Sequence, residues 1–211
     1  MNIVLIGIQG CGKGTLVAGL EQNFDLSLIS MGQLLREEIV TGSNLGKKIK
    51  ETIDRGELVS TDIIMDTLKN KLGGINTDLT VFDGFPRTIE QLELLNKVTN
   101  VDMVIHLDLS KDVATERILN RLNCSECGYI TKKQLVSNDI CPECGGKLVQ
   151  RSDDTIEGIN KRFEIYEKET YPLLERYKAI NIRVIDVNAN QTPDEVLERV
   201  LKVINEYNYQ K

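Results

Sequence analysis

Short apolar runs alternate along this chain with segments whose apolar residues recur at helical spacing, the pattern that βαβ units leave when they build a parallel sheet. The runs predict strands at 2–6, 26–29, 79–82, 103–107 and 183–187. Helical patterning fills 13–22, 31–40, 45–55, 63–72, 89–98, 113–121, 155–177 and 193–207. Two stretches interrupt the alternation: helices without an intervening strand at 30–59, and a Cys-, Gly- and Pro-containing stretch at 121–154. The expected architecture is α/β, a five-stranded parallel sheet with helices on both faces. Its core is formed by 1–29, 60–120 and 155–211, and the two interruptions are insertions.

Composition narrows the class without changing this picture. A chain of 211 residues supports one sizeable core and does not need two domains of ordinary size. Its 41% hydrophobic and 27% charged residues exclude disordered and collagen-like classes. No stretch approaches the ~18 apolar residues of a membrane span, and the start lacks the charged region of a secretion signal, so a cytoplasmic protein without a membrane partner is expected. The net charge of −6 argues against coating nucleic acid.

The chemistry begins at residues 7–16, "GIQGCGKGTL". An apolar strand, a glycine-dense turn and a helix opening at Lys13 form the context in which a phosphate-binding loop is credible. Glycines let successive backbone N–H groups point at one phosphate, the helix N-terminus adds partial positive charge, and Lys13 adds a full one. The hydroxyl that such loops place directly after the lysine is absent. Gly14 stands there, and Thr15 comes one residue late.

That variant, G-x-x-G-x-G-K-G-T, resembles the loop of nucleoside monophosphate kinases, in particular adenylate kinases, in which magnesium is held mainly by nucleotide phosphates, waters and a nearby aspartate. The resemblance extends over nearly the whole chain. It implies ATP contacts from Gly10, Cys11, Gly12, Lys13, Gly14 and Thr15, joined by Ile130, Thr131 and Gln191. "DGFPRT" at 83–88 matches the family almost letter for letter. It implies that Asp83 orients a magnesium-bound water, that Gly84, Phe85, Pro86 and Arg87 face AMP, and that Gln91 reads the adenine of AMP. "ISMGQLLR" at 29–36 resembles the AMP-side segment, with Met31 and Arg36 at the acceptor. It departs from the family at Met31, where threonine is usual, and at Gln33, where aspartate is usual. "GELV" at 56–59 implies an AMP-facing turn with Glu57, Leu58 and Val59.

Phosphoryl transfer needs alignment and neutralised charge more than a protein base, because an acceptor phosphate with a second pKa of ~6 is already largely ionised. One histidine is therefore no obstacle, and His106, in an apolar strand, reads as structural. What is needed is guanidinium groups, and the resemblance assigns six of the ten arginines. Arg36 and Arg87 hold the acceptor phosphate. Arg117 and Arg121, one helical turn apart, stack on the ATP base and touch its phosphates. Arg151 and Arg162 close over the transferring group from the AMP side. With Lys13, the residues Arg36, Arg87, Arg121, Arg151 and Arg162 form the implied catalytic set. Arg55, Arg176, Arg183 and Arg199 read as ordinary surface residues.

Cys124-x2-Cys127 and Cys141-x2-Cys144 have the spacing of a four-thiolate zinc site with two knuckles. Iron also occupies four sulfurs, and a disulfide pair is the alternative that a reducing compartment disfavours. Cys11 has no partner in this pattern. By resemblance, 121–154 is the zinc-bearing lid of a long-form adenylate kinase and 30–59 is its AMP-binding insertion. The implied activity is reversible transfer of the ATP γ-phosphoryl to AMP, giving two ADP, by a monomer using magnesium, with structural zinc. Two other readings stand beside it: another monophosphate kinase, for UMP/CMP, GMP or dTMP, and a zinc-ribbon nucleic-acid-binding protein with a phosphate loop.

Overall fold

The expected strands pair into one parallel sheet in the order β2-β3-β1-β4-β8. They are β1 (Asn2–Gly7), β2 (Leu26–Ser30), β3 (Leu79–Asp83), β4 (Met103–Asp108) and β8 (Arg183–Asn188). The structure is a computed structural model that describes residues 1–72, 77–136 and 138–209, and the side chains of these except 69–72. Residues Ile3, Val4, Leu5 and Ile6 are all buried. Successive side chains of a strand point to opposite faces, so both faces of β1 are covered, as a parallel sheet requires.

Each of these strands runs one residue beyond its apolar run, and the added residues are Gly7, Ser30, Asp83, Asp108 and Asn188. The backbone ladder continues past the last hydrophobic side chain because pairing uses N–H and C=O groups, whatever the side chain. These polar ends form the carboxyl edge of the sheet. The chain leaves β1 with β3 on one side and β4 on the other, which makes that edge a topological switch point, the place where open α/β sheets bind ligands.

Helices α1 (Lys13–Glu21), α4 (Thr61–Leu72), α5 (Ile89–Val98), α6 (Lys111–Leu119), α7 (Ile156–Ile165), α8 (Leu173–Ala179) and α9 (Pro193–Tyr209) surround the sheet. Between β2 and α4 the chain makes α2 (Met31–Val40) and α3 (Asn44–Asp54), which pack against each other. Ser43 caps α3 by accepting from the Gly46 N–H at 2.8 Å. No helix among the described residues is long and apolar enough to cross a membrane.

Two expectations need correction. The helix expected over 113–121 ends at Leu119, and Arg121 opens β5 (Arg121–Cys124), so Arg117 and Arg121 do not share a helix. Asn120 closes α6, its side chain donating to the Glu116 carbonyl at 3.0 Å, and its own carbonyl accepts from Lys133 N–H. The helix expected over 155–177 is also not continuous. It passes through a π-helical turn, Tyr166–Thr170, before α8. Pro172 explains the break: it has no N–H to give to the Lys168 carbonyl and its ring crowds that oxygen, and the Tyr171 N–H reaches back instead to the Tyr166 carbonyl at 2.7 Å.

The stretch at 121–154 contains a second, antiparallel sheet in the order β6-β5-β7, from β5 with β6 (Ile130–Lys132) and β7 (Leu148–Val149). Among the described residues its buried apolar cluster is Leu122, Cys124, Cys141 and Leu148, with Tyr129 and Val136 half-buried against it. The strands are too short to show alternation, which is why the pattern of the chain did not predict them.

Candidate active site

The turn after β1 is shaped for an anion. Gly12 sits at φ 101°, which side-chain-bearing residues rarely adopt. Gly10, at φ 85°, leaves no room for a Cβ, which would lie 2.8 Å from the Ala114 carbonyl oxygen. Gly12 leads directly into α1, which begins at Lys13, so the unpaired N–H groups of the helix start face the same hollow. The Lys13 ammonium is folded back onto the loop, donating to the carbonyls of Gly7 at 2.7 Å and Ile8 at 3.2 Å and to Cys11 Sγ at 3.3 Å. Cys11 is buried against the loop.

Beside it, at the end of β3, lies Asp83. Its Oδ1 is buried with no hydrogen-bond partner among the described residues. A buried carboxylate oxygen left bare is costly unless something donates to it, and a water of a magnesium shell fits that place. Four residues on, Arg87 is fixed by its own backbone surroundings. Its N–H donates to Gln91 Oε1 at 2.8 Å and its Nε donates to the Gly84 carbonyl at 2.9 Å. Thr88 caps α5, accepting from the Gln91 N–H at 3.2 Å, so T-x-x-Q here forms a variant of the capping box in which the glutamine reaches one residue further back. Gln91 is 3% exposed.

Five guanidiniums converge near this point: Arg36, Arg87, Arg121, Arg151 and Arg162 feel one another's charge and that of three carboxylates, Asp83, Asp153 and Asp154. Asp154, whose side chain is 0% exposed, binds Arg121 at 2.8 Å and Arg162 at 3.0 Å. Asp153 holds Arg162 at 2.7 Å. The remaining three arginines have no carboxylate partner in contact among the described residues. Desolvation pushes Arg87 below the usual guanidinium range, with the charge of Asp83 opposing it most. Arg36 is lowered in the same way against Asp153, but it stays exposed and solvent weakens the effect. Arg151 is pushed down to about 9, first by burial and then by Arg121 and Arg36. A cation disfavoured in this way is one that a bound anion stabilises.

Other predicted residues lie where the chain's crossings put them. Met31 opens α2 and is turned into the main core, while Gln33 is exposed and donates to Glu37 at 2.9 Å. Val59 is buried and Glu57 pairs with Lys161 at 3.2 Å; Leu58 is half-buried. Phe85 is buried, and Pro86 with it. Arg117 is half-buried on α6, and Gln191 is exposed in the turn after β8. Ile130 is 45% exposed and its Cδ1 would lie 3.6 Å from a Cβ on Gly14, so the small sheet reaches over the phosphate loop. Thr131 points the other way. It is 8% exposed and lines a hollow within the small sheet, with Tyr129, Val136 and Cys141, and its side chain is not brought to the loop. His106 is buried in β4, its ring nitrogens 2.7 Å from Asp186 Oδ1 and 3.0 Å from the Tyr166 hydroxyl.

The four cysteine sulfurs of Cys124, Cys127, Cys141 and Cys144 lie within 4.8 Å of one another. Sulfurs on a tetrahedron about zinc with bonds of ~2.3 Å stand just under 4 Å apart, so the donor set fits a structural metal. Hydrogen bonds from the backbone of Cys127 and Glu126 draw the Cys124 thiol down to about 6 against the pull of desolvation. Against a Gly146 backbone hydrogen bond that lowers it, the Cys127 and Cys124 sulfurs push the Cys144 thiol up to about 12. Asp153 and Asp154 were not singled out from the sequence, although their adjacency to Arg151 in "QRSDD" was the available signal.

A glycine loop leading from a strand into a helix, an aspartate on the neighbouring strand and a basket of arginines define a phosphotransferase of the phosphate-loop class. The comparisons with known proteins narrow it. The family described as adenylate kinase matches residues 5–182. Adenylate kinases from Clostridium tetani and Petrotoga mobilis are 35% and 33% identical to this chain, over 99% and 100% of it and the whole of each relative. That of Treponema denticola is 37% identical over 93% of this chain and 96% of its own. The chain belongs to the adenylate kinase family, and it is a nucleoside monophosphate kinase.

Proposed function

We propose that the chain catalyses reversible transfer of the γ-phosphoryl group of ATP to AMP, giving two ADP. The observation that carries this is the arginine basket: five guanidiniums against three carboxylates, beside a loop built for a phosphate. Two nucleotides meeting head to head bring a run of phosphates, and that is the charge such a basket lacks.

In this reading the loop from Gly10 to Thr15 and Lys13 bind the ATP phosphates, Lys13 leaving the Gly7 and Ile8 carbonyls for them. Arg117 lies along the ATP base with Gln191 beyond it, and Ile130 closes the loop from above. Arg36 and Arg87 take the AMP phosphate, and Gln91, with the 57–59 turn, meets its base. Arg121, Arg151 and Arg162 spread over the group in flight, where charge on three equatorial oxygens is stabilised by preorganised donors. Magnesium bound with ATP would supply charge neutralisation across the phosphates, with Asp83 orienting its waters. No protein group needs to take a proton, because the acceptor oxygen is ionised. Residues 30–59 act as the AMP-side insertion and 121–154 as a zinc-bearing lid that keeps water from the transferring group.

The test is a coupled assay of ADP formation from magnesium-ATP with AMP, CMP, UMP or GMP as acceptor. AMP is expected to be preferred by at least ~10²-fold in kcat/KM, as sites that hydrogen-bond their substrate discriminate sharply. Preference for a pyrimidine acceptor would replace AMP in this reading.

A further inference from the structure

We infer that Thr170 is a positioning residue for Arg87, and that the π-helical turn at Tyr166–Thr170 serves to deliver it. This rests on the reading that Arg87 binds the acceptor phosphate.

The Thr170 hydroxyl donates to the Arg87 carbonyl at 3.0 Å, across 83 residues of sequence, and Thr170 is 8% exposed. A buried hydroxyl in a helix ordinarily bonds to a carbonyl of the preceding turn of its own helix. Thr170 instead bonds to a loop at the carboxyl edge of the sheet. Together with Gln91, it holds the peptide groups on either side of one Cα: Gln91 Oε1 accepts the Arg87 N–H and Thr170 Oγ1 binds the Arg87 C=O. The Gly84 carbonyl then holds Nε. The terminal nitrogens of Arg87 carry no hydrogen bond among the described residues, so the group is aimed by its root and left open at its tip.

The turn itself has the features of a device for this placement. Its first residue, Tyr166, is tied to β4 through His106 Nε2 at 3.0 Å, and its last, Thr170, to the loop after β3. β1 and the phosphate loop lie between those strands. The turn is therefore tied to both neighbours of β1, the strand that leads into the phosphate loop. A π turn inserts one residue into the helical ladder and shifts the register of the residues after it, and such insertions are frequent at functional sites.

A carbonyl that loses its donor is not expected to unfold the loop, since Gln91 and Gly84 still hold it. It is expected to let Arg87 drift by a fraction of an ångström, and misplacements of ~1 Å near reacting groups cost up to ~10²-fold. Thr170→Val keeps the shape and removes the hydroxyl, whereas Thr170→Ser keeps the hydroxyl. Thr170→Val should lower kcat/KM for AMP by about tenfold, with the KM for ATP moved less than about twofold because the loss lies on the acceptor side. Thr170→Ser should restore most of the activity. If Thr170→Val fails to fold, Thr170→Ala against Thr170→Ser makes the same comparison. Thr170→Val at wild-type activity, Thr170→Ser as impaired as the hydroxyl-free variant, or a KM for ATP raised as much as that for AMP would each overturn the assignment. Wild-type protein that forms no ADP in an AMP-dependent way would remove the underlying reading itself, a result separable from all of these.

Discussion

The two sheets of this molecule are held together by different physics. The parallel sheet stands on a continuous apolar cluster that runs from Ile3 to Ile204 and includes every one of its strands. The small sheet at 121–154 has two leucines and two cysteines at its centre, too little apolar surface to offset the ordering of its chain. Small folds of that kind take a metal or disulfides as a staple, and four sulfurs within 4.8 Å supply the place for one. The larger unit can therefore carry chemistry at its edge without depending on that edge for stability. Four thiolates would fill all four positions of a tetrahedral site, leaving none for water or substrate, so a metal held there would be structural.

The largest effect expected belongs to the parallel sheet. Arg87→Lys should lower kcat/KM by at least ~10²-fold, because an ammonium cannot reproduce a forked contact with phosphate, while circular dichroism and unfolding temperature stay close to those of the wild type. Near-normal turnover would move Arg87 out of the acceptor site.

Next comes the residue that joins the small sheet to α7. Asp154→Asn leaves Arg121, at the root of the small sheet, and Arg162, on α7, without their shared buried partner. Removing one member of such a set costs ~3 kcal/mol, read as a lower midpoint in urea. ATP with AMP should recover part of the loss, since phosphates replace the missing charge. An unchanged midpoint would show that the basket does not depend on this carboxylate.

Changing Cys141 and Cys144 together to serine should abolish metal binding and loosen the small sheet, leaving the parallel sheet folded. Metal analysis of reduced wild-type protein should find about one equivalent of zinc or another tetrahedral metal, and differential scanning calorimetry of the variant should show an earlier, smaller transition. Less than about half an equivalent in the wild type would return the disulfide alternative.

The smallest effect is expected where the insertion at 30–59 touches the segment after the small sheet. Asp54 Oδ1 accepts from the Ser152 hydroxyl at 2.9 Å, and the Lys50 hydrogen bond, then that of Ser152, hold its carboxyl below the ordinary value of 3.8 while desolvation opposes them. A carboxyl lowered on folding adds stability that is present above pH ~4 and lost as pH falls through its folded value. The Asp54 side chain is more than a third exposed, so solvent screens the contact and Asp54→Asn should lower stability at neutral pH by less than ~1 kcal/mol. The pH dependence of unfolding should differ from that of the wild type only below pH ~4. A large change in turnover at neutral pH would give this contact a part in catalysis.

Much of this was legible in local sequence. The strand-to-helix step through "GIQGCGKGTL", the apolar runs and the paired Cys-x2-Cys knuckles each state their structure within about ten residues, because hydrophobic period, glycine dihedrals and metal geometry act over that range. The sequence thus determined the parallel sheet, the phosphate loop and the four-sulfur site. It did not determine that Arg121 would leave its helix to start β5, because the partner that fixes it, Asp154, lies 33 residues on. Nor did it show that Pro172 would open a π turn, or that Thr131 would face inward while Ile130 faces the loop. Strand register and side-chain facing are decided by pairing between distant segments. The arginine basket is the clearest case: each guanidinium is an ordinary surface residue in its own stretch of chain, and only the folding of five stretches onto one edge makes them a site.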